Sequence, residues 1–64
     1  MQNTIMQVFE NKKHKVRVVV TKSQFGMWVQ IRANGILGFE GQTTAAMIDK
    51  MVEKLELTRA PITF

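Results

Sequence analysis

Apolar and polar side chains alternate through much of the first half of the chain. In the run 15–22, Val16, Val18 and Val20 share one side of an extended backbone, because successive side chains of a strand point to opposite faces. The β-branched residues of these runs suit a pleated, half-buried surface. Turn-forming residues separate the runs from one another. The sequence therefore predicts four strands, at residues 4–10, 15–22, 27–33 and 36–40.

The last two predicted strands are joined by Asn34-Gly35, a preferred pair for a two-residue type I′ turn, in which both positions need positive φ. The predicted register pairs Ala33 with Ile36, Arg32 with Leu37, Ile31 with Gly38, and Gln30 with Phe39. Alternation then gives one face Trp28, Gln30, Arg32, Leu37 and Phe39. A one-residue change in the loop would reverse the facing of the fourth strand.

Beyond residue 43 the apolar period lengthens to that of a helix, which we predict from Thr44 to Leu57. Thr43 is the predicted N-cap, because its hydroxyl can accept an early backbone N–H. The apolar stripe is formed by Met47, Ile48, Met51, Val52 and Leu55. Residues 59–61 end the helix. We expect residues 62–64 to form either a short edge strand or an arm onto a partner chain.

The predicted fold class is α+β: a four-stranded antiparallel β-meander packed on one face by a single C-terminal helix. The helix covers one side of the sheet because its stripe needs an apolar surface to pack on. We expect residues 1–64 to form a single small domain. A chain of this length buries only about 60% of its unfolded surface. It has no cysteine for a disulfide, so we expect a homodimer to supply more core.

Positive charge is concentrated in the first half of the chain. Residues 1–32 contain six lysines and arginines against one acidic residue, whereas residues 33–64 contain three against four. The net charge is +4. A basic patch attracts phosphate backbones, acidic protein surfaces or anionic lipid. The alternative is that the lysines only keep a small domain in solution.

The sequence predicts no enzyme, no cofactor and no metal site. His14 is the only histidine and has no cysteine to partner it. Asp49 and Glu53 share a helical face but lack further metal ligands. The glycines at 35, 38 and 41 do not have phosphate-loop spacing. Neither a signal-peptide pattern nor a membrane-length apolar run is present, so we expect a cytoplasmic location and no membrane association.

The candidate site is the sheet face opposite the helix. Single-stranded nucleic acid binds to such faces by stacking bases on aromatic rings, at about 1–3 kcal/mol each, while cations follow the phosphates. The predicted nucleic-acid-binding residues are Lys15, Arg17, Trp28, Gln30, Arg32 and Phe39, with Lys12, Lys13 and Lys22 as peripheral phosphate contacts. One alternative is that Trp28, Val19 and Phe39 are buried against a second copy of the chain, and another is that this face has no binding role.

Two small families show a similar order of elements. Residues 15–57 resemble the whirly-type and positive-cofactor-four single-strand-binding domains, which place a curved four-stranded sheet before a helix and dimerise through it. The long loop that those domains have between their last strands is replaced here by Asn34-Gly35. Gly41-Gln42-Thr43 before the helix is similar to the strand-to-helix junction of HicB-like antitoxin domains.

The sequence favours a small non-enzymatic nucleic-acid-binding protein, dimeric, preferring single strands and low in sequence specificity. The alternative is a protein-interaction module, an inhibitor or antitoxin-like protein that binds a larger acidic partner protein through the same basic face or the sheet edge.

Overall fold

A computed structural model describes residues 4–61 of the chain. Its elements are β1 (Thr4–Asn11), β2 (Val16–Ser23), β3 (Gly26–Ala33), β4 (Ile36–Thr43), α1 (Ala45–Lys54) and β5 (Thr58–Ala60). The sheet has the order β4-β3-β2-β1-β5, and every neighbouring pair is antiparallel. The predicted α+β class, a four-stranded meander with one C-terminal helix, is confirmed.

The turn between β3 and β4 has the predicted form. Asn34 has φ 55° and Gly35 has φ 79°, as a type I′ turn requires. Ala33 lies opposite Ile36 and Arg32 lies opposite Leu37, as the sequence predicts. The turn chemistry therefore determines where the hairpin begins.

The predicted register fails one step further along β4, at Gly38. Ile31 lies opposite Phe39 instead of Gly38, and Gln30 lies opposite Glu40 instead of Phe39. Gly38 is the extra residue of a β-bulge, which places two residues of one strand against one of the other. The bulge turns Phe39 to the helix side of the sheet. A Cβ added at Gly41 would lie 3.3 Å from Phe39 Cζ, so the ring rests over Gly41.

The hydrophobic core lies between α1 and the middle of the sheet. Val18, Val20 and Val29 from the central strands are almost fully buried. Ile48 of α1 and Leu57, which follows the helix, pack against them. Met51 and Val52 are partly buried against this cluster, whereas Met47 and Leu55 stay exposed. Only part of the predicted apolar stripe is therefore covered.

The helix begins one residue later than predicted. Thr44 is the N-cap, and its Oγ1 accepts a hydrogen bond from the Met47 N–H at 3.3 Å. The predicted cap, Thr43, is wrong: it is the last residue of β4, lies opposite Met27 and is buried. Thr43 and Thr44 both have a hydroxyl that could cap the helix. Thr44 is the cap because Thr43 is paired with Met27 in the sheet.

The helix also ends earlier than predicted, at Lys54 rather than Leu57. The Leu57 N–H donates to the Val52 carbonyl at 2.9 Å, and the Glu56 N–H donates to the Glu53 carbonyl at 3.4 Å. These two bonds define a Schellman motif. Glu56 occupies its left-handed position, with φ 51°. The motif reverses the chain and brings Leu57 into the core.

After this reversal the chain forms β5 beside β1. Ala60 lies opposite Val8, and Thr58 lies opposite Glu10. The Thr58 hydroxyl donates to the Glu10 carbonyl at 3.2 Å. Residues 59–60, predicted to end the helix, are thus part of a strand. The prediction for residues 62–64 lies outside the described residues.

Asn11 connects the end of β1 to the end of the helix. Its Nδ2 donates to the Leu55 carbonyl at 2.9 Å, which satisfies one of the carbonyls that a helix end leaves unpaired. Its Oδ1 accepts from the His14 N–H at 3.2 Å. One side chain therefore fixes both the β1–β2 turn and the helix C-terminus.

We expect Glu56→Gly to raise the free energy of unfolding by up to about 1 kcal/mol, because glycine removes the cost of the left-handed conformation. The matched control is Glu53→Gly inside the helix, which should lower it by about 1 kcal/mol. Urea unfolding followed by circular dichroism measures both. Equal destabilisation by the two substitutions would contradict the role of Glu56 in the motif.

Candidate nucleic-acid interface

The sheet face that does not carry α1 is called the open face. Three consecutive rows of side chains cross it, as the strand registers and the alternation of side chains define them. The first row is Thr58, Glu10, Arg17, Arg32 and Leu37; the second is Ala60, Val8, Val19, Gln30 and Glu40; the third is Ile5, Thr21, Trp28 and Gln42. The first row lies near the β1–β2 and β3–β4 turns.

Two arginines oppose each other in the first row. Arg17 of β2 pairs directly with Arg32 of β3, and directly opposed Cβ atoms of antiparallel strands are about 4.5–5.5 Å apart. Like charges at this spacing destabilise a sheet. Glu10 lies opposite Arg17 on the other side, and its Oε1 is 3.8 Å from Lys12 Nζ. The row therefore carries surplus positive charge.

A concavity of about 450 Å³ opens beside this arginine pair. Its lining residues are Glu10, Asn11, Lys12, Lys15, Val16, Arg17, Arg32 and Gly35. Four of them are cations and one is a carboxylate. The shape and the charge together suit an anionic group of modest size, such as a phosphate.

One main-chain hydrogen bond joins the two turns that border the concavity. The Asn34 N–H donates to the Lys15 carbonyl at 3.0 Å, which joins the β3–β4 turn to the β1–β2 turn. Lys15 itself is left-handed, with φ 55°. Asn11 Oδ1 fixes the opposite side of the β1–β2 turn through the His14 N–H. These hydrogen bonds fix the backbone of the turns beside which Lys12, Lys15, Arg17 and Arg32 line the concavity.

Trp28 lies on the open face, opposite Thr21 of β2 and Gln42 of β4. It is 37% exposed, so part of its surface is available to a ligand. Arg32 is four positions further along β3, which corresponds to about 13 Å. Gln30 lies between them on the same face. Trp28, Gln30, Arg32 and Arg17 thus share one face, as the sequence predicts.

Two predicted contacts lie elsewhere. Phe39 is on the helix side of the sheet because of the bulge at Gly38, so its predicted place beside Trp28 is wrong. Lys22 lies opposite Met27, on the helix side and at the far end of β2 from the concavity.

Lys13 is exposed in the β1–β2 turn. Lys12 and Lys15 line the concavity.

The open face also contains residues that the sequence reasoning missed. Glu10 shares the first row with the arginines, and alternation along the first strand could have revealed it. Glu40 lies opposite Gln30 at the edge of the face, and no local sequence signal gives this position, since it depends on the bulge. Both carboxylates restrict the positive region to the turn end of the sheet.

Residues 4–61 contain neither a cluster of potential metal ligands nor a helix that could span a membrane. No three histidine, cysteine, aspartate or glutamate side chains of this segment come together as metal ligands. The described helix is too short and too polar to cross a bilayer.

Comparison with known proteins finds no matching family model, no matching curated protein and no matching solved structure. The resemblances to the whirly-type, positive-cofactor-four and HicB-like domains therefore stay expectations from the sequence.

We expect Arg32→Glu to raise the free energy of unfolding by about 0.5 kcal/mol at low salt, because it replaces a like-charge pair with an opposite-charge pair. The gain should shrink at high salt. Lys22→Glu makes the same charge change opposite Met27, where no cation faces it. Thermal and urea unfolding measure both. An equal gain from Lys22→Glu would mean that only net charge matters.

Proposed function

We propose that the protein binds single-stranded nucleic acid on the open face, with little sequence specificity and without enzymatic activity. The observation that carries this proposal is the directly opposed pair Arg17 and Arg32, on the same face as Trp28. The cytoplasmic location stays a prediction from the sequence.

The arginine pair supplies the phosphate contact. A guanidinium offers several N–H donors in a rigid fork that matches phosphate geometry. A phosphate held between Arg17 and Arg32 would replace their mutual repulsion with two charge-assisted contacts. Lys12 and Lys15, at the rim of the concavity, would contact neighbouring phosphates. Contacts of this kind position a strand without reading its sequence.

Trp28 supplies the base contact. An unpaired base can leave its own stack and lie on the exposed part of the indole, which is favourable by about 1–3 kcal/mol. The bases of a duplex are already stacked and paired, so they cannot use this ring. A single strand therefore gains both the phosphate and the stacking contact, whereas a duplex gains only the first.

The test is fluorescence anisotropy of a labelled single-stranded oligonucleotide, as DNA and as RNA, over a range of salt concentrations. We expect the double variant Arg17→Gln/Arg32→Gln to lose at least about tenfold in affinity. If two phosphate contacts are lost, the log–log salt slope should fall by about 1.4. Trp28→Ala should cost roughly five- to 150-fold and reduce the preference over duplex competitor.

The matched control is Lys50→Gln/Lys54→Gln, which removes the same charge from the exposed surface of α1. It should change affinity much less than the arginine double variant. Equal losses of affinity in the two double variants would mean generic charge attraction and would contradict a binding site at Arg17 and Arg32. No oligonucleotide binding at about 0.15 M salt would instead favour the acidic protein partner.

A further inference from the structure

The two edges of the sheet differ in how they are protected. At one edge, β5 has three residues, includes Arg59 and is followed by Pro61. Short strands, charge and proline all discourage pairing with another chain. At the other edge, β4 has eight residues and pairs only with β3 in the described part of the chain. Its outer main-chain groups face outward without a ladder partner.

The side chains of β4 do not protect this edge. Ile36 is 72% exposed and Phe39 is 51% exposed, both on the helix side. Glu40 is the only charged residue in the strand. No residue of β4 belongs to the buried hydrophobic core, which draws its strand residues from β1, β2, β3 and β5. The strand is thus held on one side and uncovered on the other.

We propose that β4 pairs antiparallel with β4 of a second copy of this chain, so that two five-stranded sheets join into one. A twofold axis lets the same row of donors and acceptors satisfy itself. The bulge at Gly38 leaves residues 39–43 as the regular part of the strand. An axis at Gly41, the middle of that segment, sets Glu40 opposite Gln42 of the second copy.

This register explains why the occupant is a second copy. It sets Phe39 opposite Thr43 of the second copy, which covers part of the exposed ring, and no charge faces a like charge. An acidic peptide at this edge would instead be repelled by Glu40, and it would be far from the cations Arg17, on β2, and Lys15, just before β2. Since the axis is perpendicular to the sheet, both open faces look to the same side, and the two arginine pairs share one surface.

The first test is the mass in solution, measured by sedimentation equilibrium without nucleic acid. We expect the wild-type chain of 7.3 kDa to be a dimer at about 100 µM, and Phe39→Lys to be a folded monomer. Met6→Lys is the matched control: Met6 is also an exposed apolar side chain, 40% exposed, but lies on β1. It should remain a dimer. A monomeric wild type, or a dimeric Phe39→Lys, would overturn the proposal.

The second test checks the register without depending on the folding of Phe39→Lys. The chain has no cysteine, so Glu40→Cys and Gln42→Cys each introduce a single thiol. Directly opposed Cα atoms are about 4.5–5.5 Å apart, within the range that a disulfide spans. Under a glutathione redox buffer, the two variants mixed should form a covalent heterodimer in preference to either homodimer. Homodimers forming as readily as the heterodimer would overturn the register and the pairing.

The proposal is independent of nucleic-acid binding. Phe39 lies on the face away from the arginine pair, so a monomeric Phe39→Lys should still bind a short oligonucleotide with its one site. Failure of the dimer would leave the proposed function standing, and failure of oligonucleotide binding would leave the dimer standing.

Discussion

A helix of ten residues can cover only part of one face of a five-stranded sheet. At about 1.5 Å per residue, α1 is roughly 15 Å long and about 10 Å wide. The sheet is about 19 Å across its five strands and about 26 Å along an eight-residue strand. The core therefore forms where the helix reaches, over Val18, Val20 and Val29. No second helix in the described part of the chain packs on the open face, where Arg17 and Trp28 are exposed although Val8 and Ala60 are buried.

Much of this arrangement follows from local sequence signals. Valine alternation defines β2, Asn34-Gly35 defines the start of the last hairpin, and the spacing of Ile48, Met51 and Val52 defines the buried side of α1. These signals are strong because each depends on a few neighbouring residues. The shared face of Arg17, Trp28, Gln30 and Arg32 follows from alternation alone, once β2 and β3 pair as a meander.

The remaining features depend on contacts that local patterns do not contain. The bulge at Gly38 places Phe39 opposite Ile31, on the helix side of the sheet, where its ring lies over Gly41. The choice between Thr43 and Thr44 as N-cap depends on the ladder that holds Thr43 opposite Met27. The strand β5 has only three residues and forms against β1, about fifty residues away in sequence. For these reasons the predicted site differs from the observed open face: Phe39 and Lys22 lie on the helix side, whereas Glu10 and Glu40 lie on the open face.

The bond between the Asn34 N–H and the Lys15 carbonyl uses main-chain atoms only. Substitutions of Lys12 or Arg17 leave this bond in place, whereas the lining residues Asn11 and Gly35 also determine the backbone of the two turns. The charge of the lining side chains can then change while the main-chain bond between the two turns is kept. Carboxylates or hydroxyls at positions 12 and 17 would therefore change the charge of the concavity more than its shape.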